Sequence, residues 1–463
     1  RHLGEQWTYR ELNERANQVA RTLLDSGVER ETVVAVVTER NLGWMAAVVG
    51  IFKAGAVYLP IEPHFPPVRI EKTLARADCE VILTEAGSTA TLDEALEALP
   101  DARKLLLTDA FEHDDVSNLG LDVELDQLAY IYFTTRSPGE PKGAMCEHAG
   151  MVNHMYAKIE DLGVREGEVV TQIAPQCFDI SLWQLVAPLL VGGCTLIVDQ
   201  ETILQPERFV DLIVDSDVGV VQVVPSYLEV LLTYLDHHPR ELGSLHAVSV
   251  TGEALTLELA QRWFGSQSGI ALINAYGLTE TSDDTNHEVM TEPPVGSVPL
   301  GPAVRNVTIY IVDEHLSPVP LGAPGEITFS GMCVGRGYIN DPERTAQAYL
   351  DDPLRPGERL YRSGDFGRWR PDGKLEYLGR RDAQVKIRGF RIEIGEIENT
   401  LVQLDGIRQG AVVITGSDDT NKQLVAFYSG TQRPVAELRD HVGRSLPEHM
   451  VPSAFYWQET LPL

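Results

Sequence analysis

The sequence predicts an α/β protein: a large N-terminal core of largely parallel sheets, then a β-rich barrel-like region, then a small α+β unit. Three observations carry this. Short apolar strand-like runs alternate with helical stretches as far as residue 297, and alternation of that length means parallel sheets covered on both faces. From Val298 the chain turns to short β-rich runs with many Gly and Pro, the pattern of an antiparallel or barrel-like region. After Gly379 a second, smaller α/β alternation begins, which places a boundary near Arg380–Asp382.

The elements follow in order. Thr8 and Glu11 have the spacing of a capping box, and Leu12, Ala16, Val19, Ala20 and Leu23 keep a helical stripe that Gly27 ends. Val33–Thr38 reads as a buried strand and Asn41–Ala54 as a mostly apolar helix. Further strand-like runs fall at Val81–Thr84, Leu128–Phe133, Val169–Ile173, Thr195–Val198, Val220–Val223, Ala247–Val250 and Ile270–Ala275. Helical stretches such as Pro206–Asp215 and Leu257–Phe264 separate most of them. In the last segment, strands are expected at Val385–Ile387, Ala411–Ile414 and Leu424–Tyr428, with helices starting at Glu396 and Val435. No internal repeat is present.

Bulk properties narrow the function. With 463 residues, the chain has room for roughly two to four domains. A formal net charge of −30 argues against binding nucleic acid, whose phosphate backbone needs a basic surface, but leaves room for a nucleotide in a local pocket. The cysteines (79, 146, 177, 194 and 333) stand singly, with no CxxC pair and no His cluster at metal spacing. Buried thiols in a reducing cytosol fit this better than disulfides or zinc. No signal pattern and no apolar run of about 20 residues is found, so the expected location is cytoplasmic, away from membranes.

Chemistry-bearing residues cluster just after strands, where ligands of parallel α/β sheets bind. Residues 134–143 read Thr-Thr-Arg-Ser-Pro-Gly-Glu-Pro-Lys-Gly, a hydroxyl- and glycine-rich loop of the kind that cradles phosphate with N–H groups, hydroxyls and the charge of Lys142. The Walker A spacing is absent. Arg136 and Pro138 stand where a glycine and a hydroxyl would serve better, since Pro138 has no N–H to donate. In Tyr276-Gly-Leu-Thr-Glu280 the ring can stack on a base and the carboxylate can hold Mg²⁺, or the segment is a capped helix start. Asp179, before an apolar helix with Trp183, reads as an N-cap or as a carboxylate that pairs with an ammonium group. Asp365, after Tyr361-Arg-Ser-Gly, reads as a turn residue or as an acceptor for two ribose hydroxyls. The basic run from Gly379 to Arg391 is a solvated face or an anion clamp beside a hinge.

In this order the motifs are specific as a set. Trp7–Leu12, Phe52–Pro60, Leu128–Gly143, Phe178–Ser181 and Asn274–Glu280 are followed by Gly325–Tyr338, Tyr361–Asp365, Gly379–Glu398 and Leu446–Pro452. Over essentially its whole length the chain resembles the adenylation domain of nonribosomal peptide synthetases, in the adenylate-forming superfamily. The resemblance implies an amino-acid-activating ligase. The substrate carboxylate attacks the α-phosphorus of ATP–Mg²⁺ to give aminoacyl-AMP and pyrophosphate, and a phosphopantetheine thiol on a peptidyl carrier protein then takes the acyl group. It also implies a neighbouring condensation-type domain, a role in antibiotic biosynthesis and an MbtH-like protein as a further partner.

Carried over by residue, the resemblance assigns Glu280, Thr279, Lys142, Arg380 and Asp382 to catalysis, with Glu280 also holding Mg²⁺. Thr134, Thr135, Ser137, Gly139, Gly252, Asn274, Tyr276, Gly277, Asp365 and Tyr377 would bind the nucleotide. Tyr276 would stack on adenine, Thr279 would touch the α-phosphate and Asp365 would hold the ribose with Arg380 close by. Residues 1–379 would be the core, 380–382 a hinge turning on Asp382, and 383–463 a small mobile C-terminal subdomain, with Gly389 near the pantetheine tunnel. The amino-acid pocket would comprise Asp179, Ile180, Trp183, Gln222, Ser249, Thr251, Ala275, Asp283 and Asp284, with Asp179 on the α-ammonium. A hydrophobic substrate would leave these polar groups unpaired at about 1–3 kcal/mol each, so a polar, serine-like or modified serine substrate is expected. Glutamine-like and small cationic amino acids are the alternatives, the latter because two adjacent acids can receive a cation. The small Ala275 leaves room for bulk near the substrate Cα or Cβ.

Three features depart from the pattern: Arg136 and Pro138 in the loop, a start almost at the first motif, and an end at Leu461-Pro-Leu463 before the motif whose lysine clamps carboxylate and α-phosphate. The last two read as a trimmed sequence. The rival readings are an adenylation-like domain with impaired ATP binding that serves as a docking scaffold, and an acyl-CoA ligase, which Asp179 disfavours.

Overall fold

Local chemistry sets the first helix as expected. Thr8 and Glu11 form a reciprocal capping box, and the helix Tyr9–Asp25 buries Leu12, Ala16, Val19, Ala20 and Leu23. The computed structural model describes residues 1–134, 142–380, 384–387, 390–416 and 422–461. Asn41, expected inside the second helix, instead caps it: its side chain accepts from the Trp44 N–H, and the helix runs Leu42–Lys53.

Among the described residues, two large sheets dominate. In the first, Leu128–Thr134, Val57–Ile61, Val33–Val37, Val81–Thr84 and Arg103–Leu106 lie parallel in that order, extended antiparallel at one edge by Lys142–Glu147 and Gly337–Tyr338. In the second, Ala271–Leu278, Ala247–Val250, Val218–Val223, Val169–Gln172 and Cys194–Ile197 are parallel, and Asp283–Met290 closes one edge antiparallel. The strand cores match the apolar runs, which read as continuous because both faces are covered. Val57–Ile61 and Lys142–Glu147 carry no such legible pattern, one because Pro60 interrupts it and the other because it opens on Lys142 and Gly143 and ends on Glu147.

The β-rich region is an antiparallel sheet ordered Val307–Val312, Gly325–Gly331, Arg359–Trp369 and Tyr349–Asp351, with Leu375–Arg380 paired to the long third strand. Asp365 therefore sits inside a strand rather than in a turn. The last segment forms a hairpin, Gln384–Ile387 with Phe390–Glu393, and a sheet of Ile407–Thr415, Gln423–Gly430 and Ala454–Trp457. The helix expected from Glu396 begins earlier, at Ile394. Ile397, Leu401, Val412, Leu438 and Met450 give this segment an apolar core of its own.

Among the described residues, specific contacts join that segment to the rest. Phe390 meets Phe178 of the core edge-on at 5.3 Å and, within its own segment, stacks on His449 at 4.0 Å. The buried Arg69 lies 3.5 Å from Glu396. All five cysteines are free thiols; Cys79, Cys146 and Cys333 are buried, while Cys177 and Cys194 are half-buried. Among the described residues no helix is long and apolar enough to cross a membrane.

Candidate active site

The strand ends of both large sheets converge on one cavity of about 330 Å³. Thr134 comes from the end of one sheet, Gln222, Thr251 and Gly252 from the other, and Asp179 and Ile180 from the helix start between them. Gly277, Thr279, Asp283 and Asp284 form the remaining wall, and Phe390 and His449 reach in from the C-terminal segment.

A kink in the chain explains why two adjacent acids face the same space. Side chains in a strand point alternately to opposite faces. Here the pairing of Ala271–Leu278 with Asp283–Met290 slips at Tyr276/Gly277, and Ser282 and Asp283 take left-handed backbone conformations, φ 55° and 78°. Such a bulge re-aims side chains beside binding sites and stores strain there. Gly277 is the partner that permits it. A Cβ at 277 would lie 2.0 Å from the Asp283 carbonyl oxygen and 2.4 Å from Asp284 Cα. Gly277→Ala is therefore expected to displace this wall at a cost of about 1–3 kcal/mol. Thermal unfolding should show the loss as a lower midpoint, and an unchanged midpoint would contradict the packing described.

Asp179 is half-buried and caps the helix Ile180–Val186, its Oδ1 accepting from the Ile180 N–H at 3.0 Å. Enclosure by the surrounding protein pushes its carboxyl up to about 6, helped by Asp284 and Glu280 and opposed by hydrogen bonds from Thr279 and Ile180. The N-cap and pocket-carboxylate readings thus describe one residue with both placements.

The cavity floor contains a network that spacing in the sequence does not disclose. Lys158, wholly buried on the helix His148–Leu162, places Nζ 2.6 Å from Asp284 Oδ2 and 5.2 Å from the centre of the Trp183 ring. It donates to Ser249 Oγ at 3.4 Å, and Thr251 Oγ1 donates to Asp284 Oδ1 at 2.9 Å. His154 Nδ1 lies 3.5 Å from Asp283 Oδ2 and its Nε2 3.8 Å from Asp284 Oδ2, while His287 Nδ1 meets Asp161 Oδ2 at 2.6 Å. Burial works to raise the Asp284 carboxyl, but Lys158 and His154 overcome it and hold the group below the usual carboxylate range. Asp283 goes the other way, driven well up by burial and then by its neighbours Asp284 and Asp179. Trp183 Nε1 donates to Gln222 Oε1 at 2.5 Å. Trp183, Ser249 and Ala275 are buried behind the cavity wall. The available signal for Lys158 and His154 was a Lys and a His on the face that also buries Met151, Met155 and Leu162.

Two further groups of the expected residues assemble beside the cavity. Asp365, 2% exposed, accepts from Tyr276 OH at 2.5 Å, Arg380 Nη1 at 2.7 Å and Tyr377 OH at 3.5 Å. Tyr276 and Tyr377 have ring centres 6.0 Å apart. Asn274 is buried and donates to the Pro299 carbonyl at 2.8 Å. Glu280 is buried on a short helical turn, Thr279–Thr281, and its Oε1 accepts from Tyr338 OH at 2.9 Å. Lys142 Nζ lies 5.3 Å from the centre of the same Tyr338 ring. Thr134 and Lys142 are register partners on adjacent strands, and the buried Thr134 Oγ1 has no hydrogen-bond partner among the described residues. That orphan hydroxyl fits a phosphate-binding role, and buried Glu280 supplies the hard oxygen ligand that Mg²⁺ takes. Thr135, Ser137, Gly139 and Asp382, with Arg136, Pro138 and Gly389, lie outside the described residues.

The chain is similar to known proteins in sequence and fold. A family profile described as AMP-binding enzyme matches residues 2–339. The dimodular nonribosomal peptide synthase of Bacillus subtilis is 37% identical over 465 residues; the alignment covers 99% of this chain but 19% of that relative. The chain therefore spans less than a fifth of that relative's length. A four-domain nonribosomal peptide synthetase solved with AMP and glycine is 31% identical with a TM-score of 0.72, covering 100% of this chain and 34% of the other. The adenylation domain AlmE of Vibrio cholerae, solved with glycyl-adenosine-5′-phosphate, is 25% identical with a TM-score of 0.86, covering 99% and 91%.

Proposed function

The chain belongs to the AMP-binding enzyme family, and on that premise we propose that it activates a neutral, polar amino acid as its adenylate and passes it to a carrier protein. The observation that carries this reading is the cavity itself. One space holds a carboxylate for an α-ammonium, Asp179, together with Thr279 and the orphan hydroxyl of Thr134, which suit phosphate. An acid at that position favours an amino acid over a fatty or aryl acid.

In the proposed first step, Asp179 orients the amino acid through its ammonium group. A carboxylate oxygen of the substrate attacks the α-phosphorus of ATP, and the bond to pyrophosphate breaks. Thr279 touches the α-phosphate, while Thr134, Lys142 and the loop between them hold the departing phosphates. Asp365, released from Tyr276 and Arg380, accepts the ribose hydroxyls, and Tyr276 stacks on adenine. Glu280 would hold Mg²⁺, which supplies positive charge to the phosphates when bound. In the second step a phosphopantetheine sulfur attacks the acyl carbon, the thiol proton passes to solvent, and AMP leaves. Most of the rate then comes from positioning and charge stabilisation. Residues 380–382 would act as a hinge between the steps. The carrier protein, a neighbouring condensation-type domain and an MbtH-like protein are the partners this reading assigns.

A serine-like or modified serine side chain fits the hydrogen-bonding groups of Gln222, Thr251 and Asp283, with glutamine next. Incubation of the full-length protein with ATP, Mg²⁺ and a mixture of amino acids should yield an aminoacyl-AMP detectable by mass. A second reading rests on Arg136 and Pro138: a domain impaired in ATP binding and kept as a docking scaffold. That reading gains if no adenylate forms until Arg136→Gly and Pro138→Thr are introduced together.

A further inference from the structure

We infer that Lys158 is a specificity-determining residue: its ammonium is a built-in counter-ion that balances the charge of Asp284 at the pocket floor, admitting neutral hydrogen-bonding side chains and excluding cationic ones. The inference rests on the amino-acid-activating reading above and names the substrate class of the same cavity.

The geometry is that of a fixed pair. Asp284 lines the cavity, while Lys158 approaches it from behind at 2.6 Å and is itself wholly buried. The Trp183 ring at 5.2 Å and Ser249 Oγ at 3.4 Å hold the ammonium in place. Thr251 occupies Oδ1 of the same carboxylate. Asp284 therefore presents an oxygen to a substrate but no unbalanced charge. The histidines beside the pair are disfavoured as further cations: burial draws His154 down to about 4 and lowers His287, and burial likewise drives the Asp283 carboxyl well up. A substrate ammonium at the floor would have to share Asp284 with Lys158, and like charges at that range in a buried site repel strongly.

Oxygen and nitrogen atoms of His154, Asp284 and His287 lie within 4.8 Å of one another, a spacing that also admits a metal ion. The ammonium already 2.6 Å from the one carboxylate of that set balances its charge without a metal.

Pyrophosphate exchange into ATP, measured in the full-length protein as kcat/KM for serine, glutamine, 2,4-diaminobutyrate, ornithine, aspartate and glutamate, tests this. The wild type is expected to prefer a neutral side chain. Lys158→Met should raise the ratio of diaminobutyrate or ornithine to the neutral substrate by about tenfold or more, the scale of one added or removed charge contact. Asp284→Asn leaves Lys158 unbalanced and should raise the ratio for aspartate or glutamate by a similar factor. The double variant should return to the wild-type order. Should Lys158→Met fail to fold, Asp284→Asn and the double variant decide alone. A wild type that prefers a cationic substrate, or ratios that stay within about twofold in every variant that folds, would overturn the inference while leaving amino-acid activation intact. A wild type silent with every amino acid would take down both.

Discussion

Asp179→Asn is expected to lower kcat/KM for the amino acid by about 30- to 4000-fold, because removing one member of an enclosed charge pair costs about 2–5 kcal/mol. The KM for ATP should change little, since the role proposed for Asp179 is on the α-ammonium of the amino acid and not on the nucleotide. The pH dependence follows with a definite sign. Enclosure holds the Asp179 carboxyl up at about 6, and only its ionised form pairs with an ammonium. Binding competence is therefore present above that value and lost as pH falls through it. The profile of kcat/KM, which reports free-enzyme groups, should drop about tenfold per unit on the acid side. Asp179→Asn should remove that limb as well as the activity. A variant with near-normal kcat/KM, or an acid limb that survives the substitution, would show that the ammonium is held elsewhere.

Asp365→Ala should act on the nucleotide instead. The carboxylate is buried and receives three donors, from Tyr276, Arg380 and Tyr377. Its loss would remove the two oxygens proposed to accept the ribose hydroxyls and would take the carboxylate away from the Arg380 guanidinium, 11% exposed. Hydrogen bonds to charged groups contribute about 1.5–3 kcal/mol each, so an effect of about 10²-fold or more on ATP binding is expected. Calorimetric titration with ATP or AMP reads it directly, and Asp365→Asn should recover part of the loss by keeping the geometry. Unchanged nucleotide affinity would remove Asp365 from the site.

How much of this was legible in the sequence depended on the range of the cause. Ala247–Val250 and Val81–Thr84 were read with their final bounds because a doubly covered strand is a continuous apolar run between breakers. Pro206–Asp215 was read because Pro opens a helix at its first position. Asp365 looked like a turn residue because Ser363-Gly364 precede it, yet pairing with two neighbouring strands overrode that local preference. The strand Ala271–Leu278 runs past its expected end at Ala275 for the same reason: Asp283–Met290 pairs with it through Gly277. The candidate site residues were legible as motifs in the sequence. Lys158 was not, since a lysine on a buried helix face gains its meaning from Asp284 on a distant strand, and no local pattern announces that partner. The two acids alone therefore read as a welcome for a cation; the fold supplies the cation itself.

The central claim is amino-acid-dependent adenylation. The measurement that tests it most directly is exchange of labelled pyrophosphate into ATP by the full-length protein, run across polar, cationic, acidic and apolar amino acids. The account predicts exchange well above background with a neutral polar amino acid, abolished by Asp179→Asn and by Asp365→Ala. Exchange at background with every amino acid, or exchange driven by a carboxylic acid lacking an α-ammonium, would contradict it.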